Sequence, residues 1–228
     1  MCYSVFAHCF TCTKNLKAIN NICLSLTKTR IAVLRFDFTG LGESEGEFAD
    51  TNFSSNVGDL VAAAAFLQAH YETPRVLIGH SLGGTAVIQA AKLIPSAVAI
   101  ATIAAPFQPA YLAKLLVQNR DEIERSGEAE VVIGGGRFKI SKQFIEDLER
   151  TDMKKTIADL QRALLICHSP LDATVSIDNA AEIFVTAKHP KSFLSLNTAD
   201  HLLTDARDSA YVGTMVATWA SRYIQDDI

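Results

Sequence analysis

Val76-Leu77-Ile78-Gly79-His80-Ser81-Leu82-Gly83-Gly84 decides the reading of this chain: an apolar run enters a G-x-S-x-G turn. It leaves as an alanine-rich stretch, Thr85-Ala86-Val87-Ile88-Gln89-Ala90-Ala91-Lys92-Leu93. The run reads as a buried strand, and the stretch after it has the small apolar residues of a helix lying on a sheet. A serine on so tight a strand-to-helix turn is pushed outward at the C-terminal edge of the sheet, where its hydroxyl can attack a carbonyl. Gly79 and Gly83 are expected where strand and helix backbones come too close for a Cβ. The pattern points to a nucleophilic serine rather than to a plain glycine turn.

Working outward, strand-like and helix-like segments alternate, the pattern of a parallel sheet covered on both faces. Strands are expected at Tyr3–Ala7, Ile31–Phe36, Arg75–Gly79, Ala97–Ala104, Ala163–His168 and Ser192–Leu196. Helices are expected at Leu16–Thr27, Asn56–His70, Gly83–Leu93, Ile177–Ala187 and Asp208–Ile224. The fold class is α/β: one domain over 1–228, with a mostly parallel sheet of about six strands. From about Phe107 to Lys155 the rhythm breaks into polar helices and a hairpin over Gly134-Gly135-Gly136. The stretch from Pro106 to Lys155 holds nine acidic and nine basic side chains. Such density suits an exposed insertion, a small lid, and the balanced signs argue against a phosphate or nucleic-acid patch. The interleaved Leu112, Leu115, Leu116, Phe138, Phe144, Ile145 and Leu148 would pack the lid on the body. Phe138 and Phe144 are the candidates to line a substrate pocket.

A serine hydroxyl becomes a useful nucleophile only when a base takes its proton, and an acid must hold that base in one tautomer. After an elbow of this kind the acid and then the histidine follow, on loops beyond later strands. Asp172 lies just past Ala163-Leu164-Leu165-Ile166-Cys167, in His168-Ser169-Pro170-Leu171-Asp172. His201 lies just past Ser192-Phe193-Leu194-Ser195-Leu196. Ser81, Asp172 and His201 are therefore the expected triad. Asp200 adjoins the histidine, where consecutive side chains diverge, and Asp178 falls in the next helix. His168 is expected to shape the acid loop, His80 fills the variable position of the elbow, and His70 and His189 sit at helix ends. An oxyanion formed at Ser81 needs two backbone donors. One is expected from Leu82, the other from the loop His8-Cys9-Phe10-Thr11. In Asp37-Phe38-Thr39-Gly40-Leu41-Gly42-Glu43-Ser44 the acidic residues that follow would repel a phosphate, so the glycines read as a structural turn with positive φ.

The 228 residues are 49% hydrophobic and 20% charged, with a net charge of −4. That excludes a basic nucleic-acid footprint. No apolar stretch reaches a membrane span and no leader pattern opens the chain, so neither membrane association nor export is expected. An odd count of five cysteines suggests free thiols in a reducing cytoplasm. Cys9-Phe10-Thr11-Cys12 lacks the helix N-terminus of a redox motif and the second ligand pair of a zinc site. No cofactor and no metal are expected.

Together, HCFTC, RFDFTGLGESEG, FADTNFSSNVGDL, IGHSLGG, HSPLD and HPKSF…ADHLL resemble the α/β-hydrolase superfamily. More narrowly they resemble the small serine hydrolases often fused to an OsmC-like peroxide-repair domain. The resemblance implies an α/β-hydrolase fold, a triad at Ser81, Asp172 and His201, and carboxylesterase-type activity on a small-molecule ester. Relatives usually read H-G-x in the oxyanion loop with the donor at x, which implies Phe10; Cys9 here replaces the glycine. The sequence ends near residue 228 without an OsmC-like domain, and it opens almost at the strand before the oxyanion loop. Ile31–Phe36 should then be a sheet edge, inviting a homodimer or a folded-over N-terminus. Alternatives to an esterase are a thioesterase, an acyltransferase or a small peptidase with the same triad, or a non-catalytic partner module for a peroxide-repair protein.

Overall fold

Successive residues of the strand before Ser81 face opposite sides of the sheet, and both sides are apolar. Val76 and Ile78 join Phe6, Ala101 and Leu165 in one core, while Leu77 joins Val5, Ile100 and Leu164 in the other. A strand buried on both faces reads as an unbroken apolar run, which is why the sequence shows no alternation here.

The computed structural model describes residues 1–133 and 136–224, without the side chains of 114, 115 and 117. The chain opens with β1 (Cys2–Ala7), α1 (Lys17–Thr27), β2 (Ile31–Arg35), α2 (Phe53–His70), β3 (Pro74–His80), α3 (Leu82–Ala90) and β4 (Ala99–Ile103). An insertion follows, made of a 3-10 segment (Pro109–Asn119), α4 (Arg120–Ser126), β5 (Glu128–Ile133), β6 (Gly136–Ser141) and α5 (Lys142–Arg150). The rest is α6 (Met153–Ala158), β7 (Ala163–His168), α7 (Asp178–Thr186), β8 (Lys191–Ser195) and α8 (Ala206–Ile224). Six strands form one sheet in the order β2-β1-β3-β4-β7-β8, every neighbouring pair parallel. Helices α1 and α8 cover one face; α2, α3 and α7 cover the other. Fully buried side chains such as Leu77, Ile78 and Ile88 each contribute about 1.5–3 kcal/mol of burial.

Five expected strands shift by one or two residues, two of them at one end and three at both, and Ala163–His168 is met as read. Helix α2 starts three residues earlier than its apolar pattern suggests, because Asn52 caps it. The Asn52 side chain accepts from the Ser55 N–H at 2.7 Å, and the Ser55 hydroxyl accepts from the Asn52 N–H at 2.9 Å. Serine at the third helical position completes this reciprocal cap where glutamate or glutamine is the commoner signal. β2 forms one edge of the sheet, paired with β1.

The insertion does contain a hairpin, with β5 and β6 antiparallel from Glu128↔Ser141 to Ile133↔Gly136. Its tip at Gly134 and Gly135, like the Leu115 side chain, lies outside the described residues. Asp147 of α5 accepts from the backbone N–H and the hydroxyl of Ser54, at 2.7 and 2.8 Å, tying the insertion to the start of α2. One expectation is overturned. Cys9 and Cys12 are joined by a disulfide, so the cysteines are not all free thiols; Cys23 and Cys167 remain so. The odd count hid the pair because spacing alone cannot show that a turn brings two sulfurs together. Here the Cys12 N–H donates to the Cys9 carbonyl at 3.1 Å, closing that turn.

Candidate active site

At the end of β3 the chain reverses into α3 through Ser81, which holds φ 54 and ψ −125. That conformation is costly for a residue with a side chain, so the surroundings must enforce it. The Ser81 N–H donates to Ile103 on β4 at 2.8 Å, and the Ser81 carbonyl accepts from Gly84 at 2.8 Å. The glycines are required by contact. A Cβ on Gly79 would stand 2.6 Å from the Gly84 nitrogen, and one on Gly83 would stand 2.6 Å from the Ala7 carbonyl oxygen. Gly83→Ala should therefore push the end of β1 away from the elbow and lower kcat/KM by about 100-fold. Steady-state kinetics on folded protein checks this, and wild-type activity in the variant would show that the contact is not needed.

Beyond β7 and β8, two loops bring an acid and a histidine to Ser81. His201 Nδ1 lies 2.8 Å from Asp172 Oδ2, and His201 Nε2 lies 3.0 Å from the Ser81 hydroxyl. Asp172 is nearly buried. Burial opposes its ionisation, but hydrogen bonds from His201 and from the amides of Val175 and Thr174 outweigh it, holding the carboxyl below the usual carboxylate range. An ionised carboxylate only accepts, so Nδ1 carries the proton and Nε2 is left to accept from Ser81. Asp200 turns back on its own loop, accepting from the Thr204 N–H at 3.0 Å and from the Thr204 hydroxyl. Asp178 opens α7, beside Ser176.

Three histidines brace this arrangement. His80 donates from Nε2 to the His201 carbonyl at 2.7 Å, fixing the base loop from beneath. Burial, assisted by the neighbouring His201, pushes its pKa down to about 4, so it stays a neutral strut. His168 donates from Nε2 to the Val175 carbonyl at 2.8 Å and stands 3.6 Å from Asp172, shaping the acid loop. His8 accepts from the Phe38 N–H at 3.2 Å and donates from Nδ1 to the Cys9 carbonyl at 2.8 Å. Burial again lowers its pKa, with the Cys9 carbonyl opposing. The strut roles of His80 and His8 were not read from the sequence: each is a contact between segments far apart in the chain.

The turn after β2 is structural. Gly40, Gly42 and Gly46 all hold positive φ. Asp37 accepts from the amide and ammonium of Lys14, at 2.6 and 2.8 Å, and from the Glu43 amide at 3.0 Å. This pins the loop carrying Phe10 to the turn carrying Phe38. Leu82 opens α3, where its own N–H has no intrahelical acceptor. Phe10 and Leu82 line one cavity of about 10 Å³ with Phe38, Phe48 and Asn56. Phe138 and Phe144 do not line it. Phe144 packs 5.4 Å from Phe10 and 6.1 Å from Phe48, and Phe138 packs 5.6 Å from Phe48, ring to ring. The insertion thus backs the cavity wall instead of forming its surface.

Known proteins agree with this architecture. The chain is 46% identical to the esterase domain of a Rhodothermus marinus protein, over 98% of this chain and 88% of that one, with a TM-score of 0.77. It is 33% identical over 139 residues to the mitochondrial palmitoyl-protein thioesterase of Mus musculus, covering 58% of this chain and 44% of that relative's length. The mouse alpha/beta hydrolase domain-containing protein 10 superposes with a TM-score of 0.79 at 20% identity, over 96% of this chain and 90% of that one, a likeness of fold. The model of the alpha/beta hydrolase family matches residues 5–225, and the chain belongs to that family.

Proposed function

We propose that this chain is a serine carboxylesterase that hydrolyses short-chain acyl esters through an acyl-serine intermediate. One observation carries the reading: the contact chain Asp172–His201–Ser81, at 2.8 and 3.0 Å, on a serine held in an enforced conformation at the sheet edge. His201 Nε2 takes the Ser81 proton as Oγ attacks the ester carbonyl, and returns it to the departing alcohol. Water then attacks the acyl-serine, giving its proton to the same nitrogen, which passes it to the Ser81 oxygen as the carboxylic acid leaves. The N–H groups of Leu82 and Phe10 stabilise the oxyanion of both tetrahedral intermediates.

The name of the mouse relative makes a palmitoyl thioester the second reading. The cavity of about 10 Å³ lined by Phe10 and Leu82 has room for one water-sized group and none for a palmitoyl chain, which supports a short acyl group instead. Each buried CH₂ adds about 0.8 kcal/mol only until the pocket is full, after which clash reverses the gain. On a series of p-nitrophenyl esters and acyl thioesters, kcat/KM should peak at about two to six acyl carbons. Phe138→Ala, by loosening the backing of Phe48, should move the peak to longer chains. A maximum at palmitoyl groups would replace the esterase reading with the thioesterase one. Absence of fluorophosphonate labelling at Ser81 would favour a non-catalytic partner module.

A further inference from the structure

The cavity beside the elbow has apolar walls apart from one side chain whose hydrogen-bonding capacity is unspent. Phe10, Phe38, Phe48, Leu82 and Ala86 supply the apolar surface. His8 also faces it, but its nitrogens are committed to the Phe38 amide and the Cys9 carbonyl. Asn56, in the first turn of α2, is only 5% exposed. Its Oδ1 is buried with no hydrogen-bond partner among the described residues. Its backbone N–H is spent on the Asn52 carbonyl at 3.1 Å, so the helix asks nothing of the side chain. A buried amide left unpaired is costly, and native proteins keep such groups where a ligand or an ordered water completes them.

We propose that this cavity is a subsite for a hydroxyl group carried on a short aliphatic acyl chain, recognised by Asn56. The inference rests on the ester-hydrolase reading and names its substrate class. The partner must donate to Oδ1, which excludes a carbonyl or carboxylate. An ammonium would donate, but no carboxylate is among the lining residues to offset its desolvation. A hydroxyl is neutral, donates to the carboxamide oxygen and can accept from its nitrogen. The volume of about 10 Å³ is the size of one water-sized group, which suits an aliphatic hydroxyl and refuses an aromatic ring. The cavity takes the hydroxyl alone: Phe10 and Leu82, whose amides would hold the ester oxyanion, also line it, so the carbon chain would lie outside it, between the hydroxyl and Ser81.

The test compares ethyl esters of 2-hydroxypropanoate, 3-hydroxybutanoate and 4-hydroxybutanoate with those of propanoate and butanoate, by pH-stat on the whole chain. In the wild type at least one hydroxy ester should exceed its parent in kcat/KM by about tenfold or more, the effect of pairing a buried orphan. In Asn56→Leu that ratio should fall to near one or invert. Hydroxy esters no better than their parents in the wild type would overturn the proposal, and so would a preference that survives in Asn56→Leu. Should Asn56→Leu fail to fold, Asn56→Ala gives the same comparison, and the wild-type ratio alone still decides against the proposal if it is one. If the wild type cleaves neither series and Ser81 resists fluorophosphonate, the ester-hydrolase reading itself has failed, and the subsite proposal falls with it.

Discussion

Ser81→Ala should lower kcat by about 10⁴- to 10⁶-fold, because nucleophile and base act as one unit and little remains when either is removed. The substitution deletes a single oxygen. The backbone bonds that hold the elbow, from Ser81 to Ile103 and from Gly84 to Ser81, do not involve the side chain. Alanine bears the same Cβ, so the positive φ costs the variant about what it costs the wild type. His201 keeps its bond to Asp172 and its support from His80. Circular dichroism and the melting temperature should therefore stay near wild type while turnover collapses. A folded variant keeping a tenth of wild-type kcat would refute the nucleophile assignment.

Legibility of this site in the sequence followed the range of the interactions. Ser81 was readable because an elbow is local: Gly79, Gly83 and the flanking strand and helix all fall between Pro74 and Ala90. Asp172 and His201 were readable because each loop follows an apolar strand, β7 and β8, and parallel strands deliver such loops to one edge. What the sequence hid are contacts across long separations. His80 holds a carbonyl 121 positions away, and the Phe38 amide reaches His8 across 30 positions. The early start of α2 was missed because Ser55 completes the cap of Asn52. The placement of Phe138 and Phe144 behind the cavity wall depends on how an inserted hairpin lands on Phe48, which no periodicity encodes.

Asp172→Asn should cost about 10⁴-fold in kcat with little loss of structure, through the tautomer of its neighbour. The two oxygens of Asp172 have separate tasks. Oδ1 accepts from the amides of Thr174 and Val175 at 2.8 and 2.9 Å, and Oδ2 accepts from His201 at 2.8 Å. An asparagine must keep its oxygen on the two backbone donors, since its NH₂ group placed there would face N–H against N–H. The NH₂ is then forced toward His201 Nδ1, which can meet it only by giving up its own proton. The imidazole hydrogen moves to Nε2, the nitrogen 3.0 Å from Ser81. A donor now stands where the serine proton must be received. Binding of ester should be less affected than turnover, so KM changes little while kcat falls. Asp172→Ala, which leaves both amides unpaired, should lose stability as well, separating the structural part of the role from the tautomeric part. If Asp172→Asn turned over as fast as the wild type, the carboxylate would not be what sets the proton on His201.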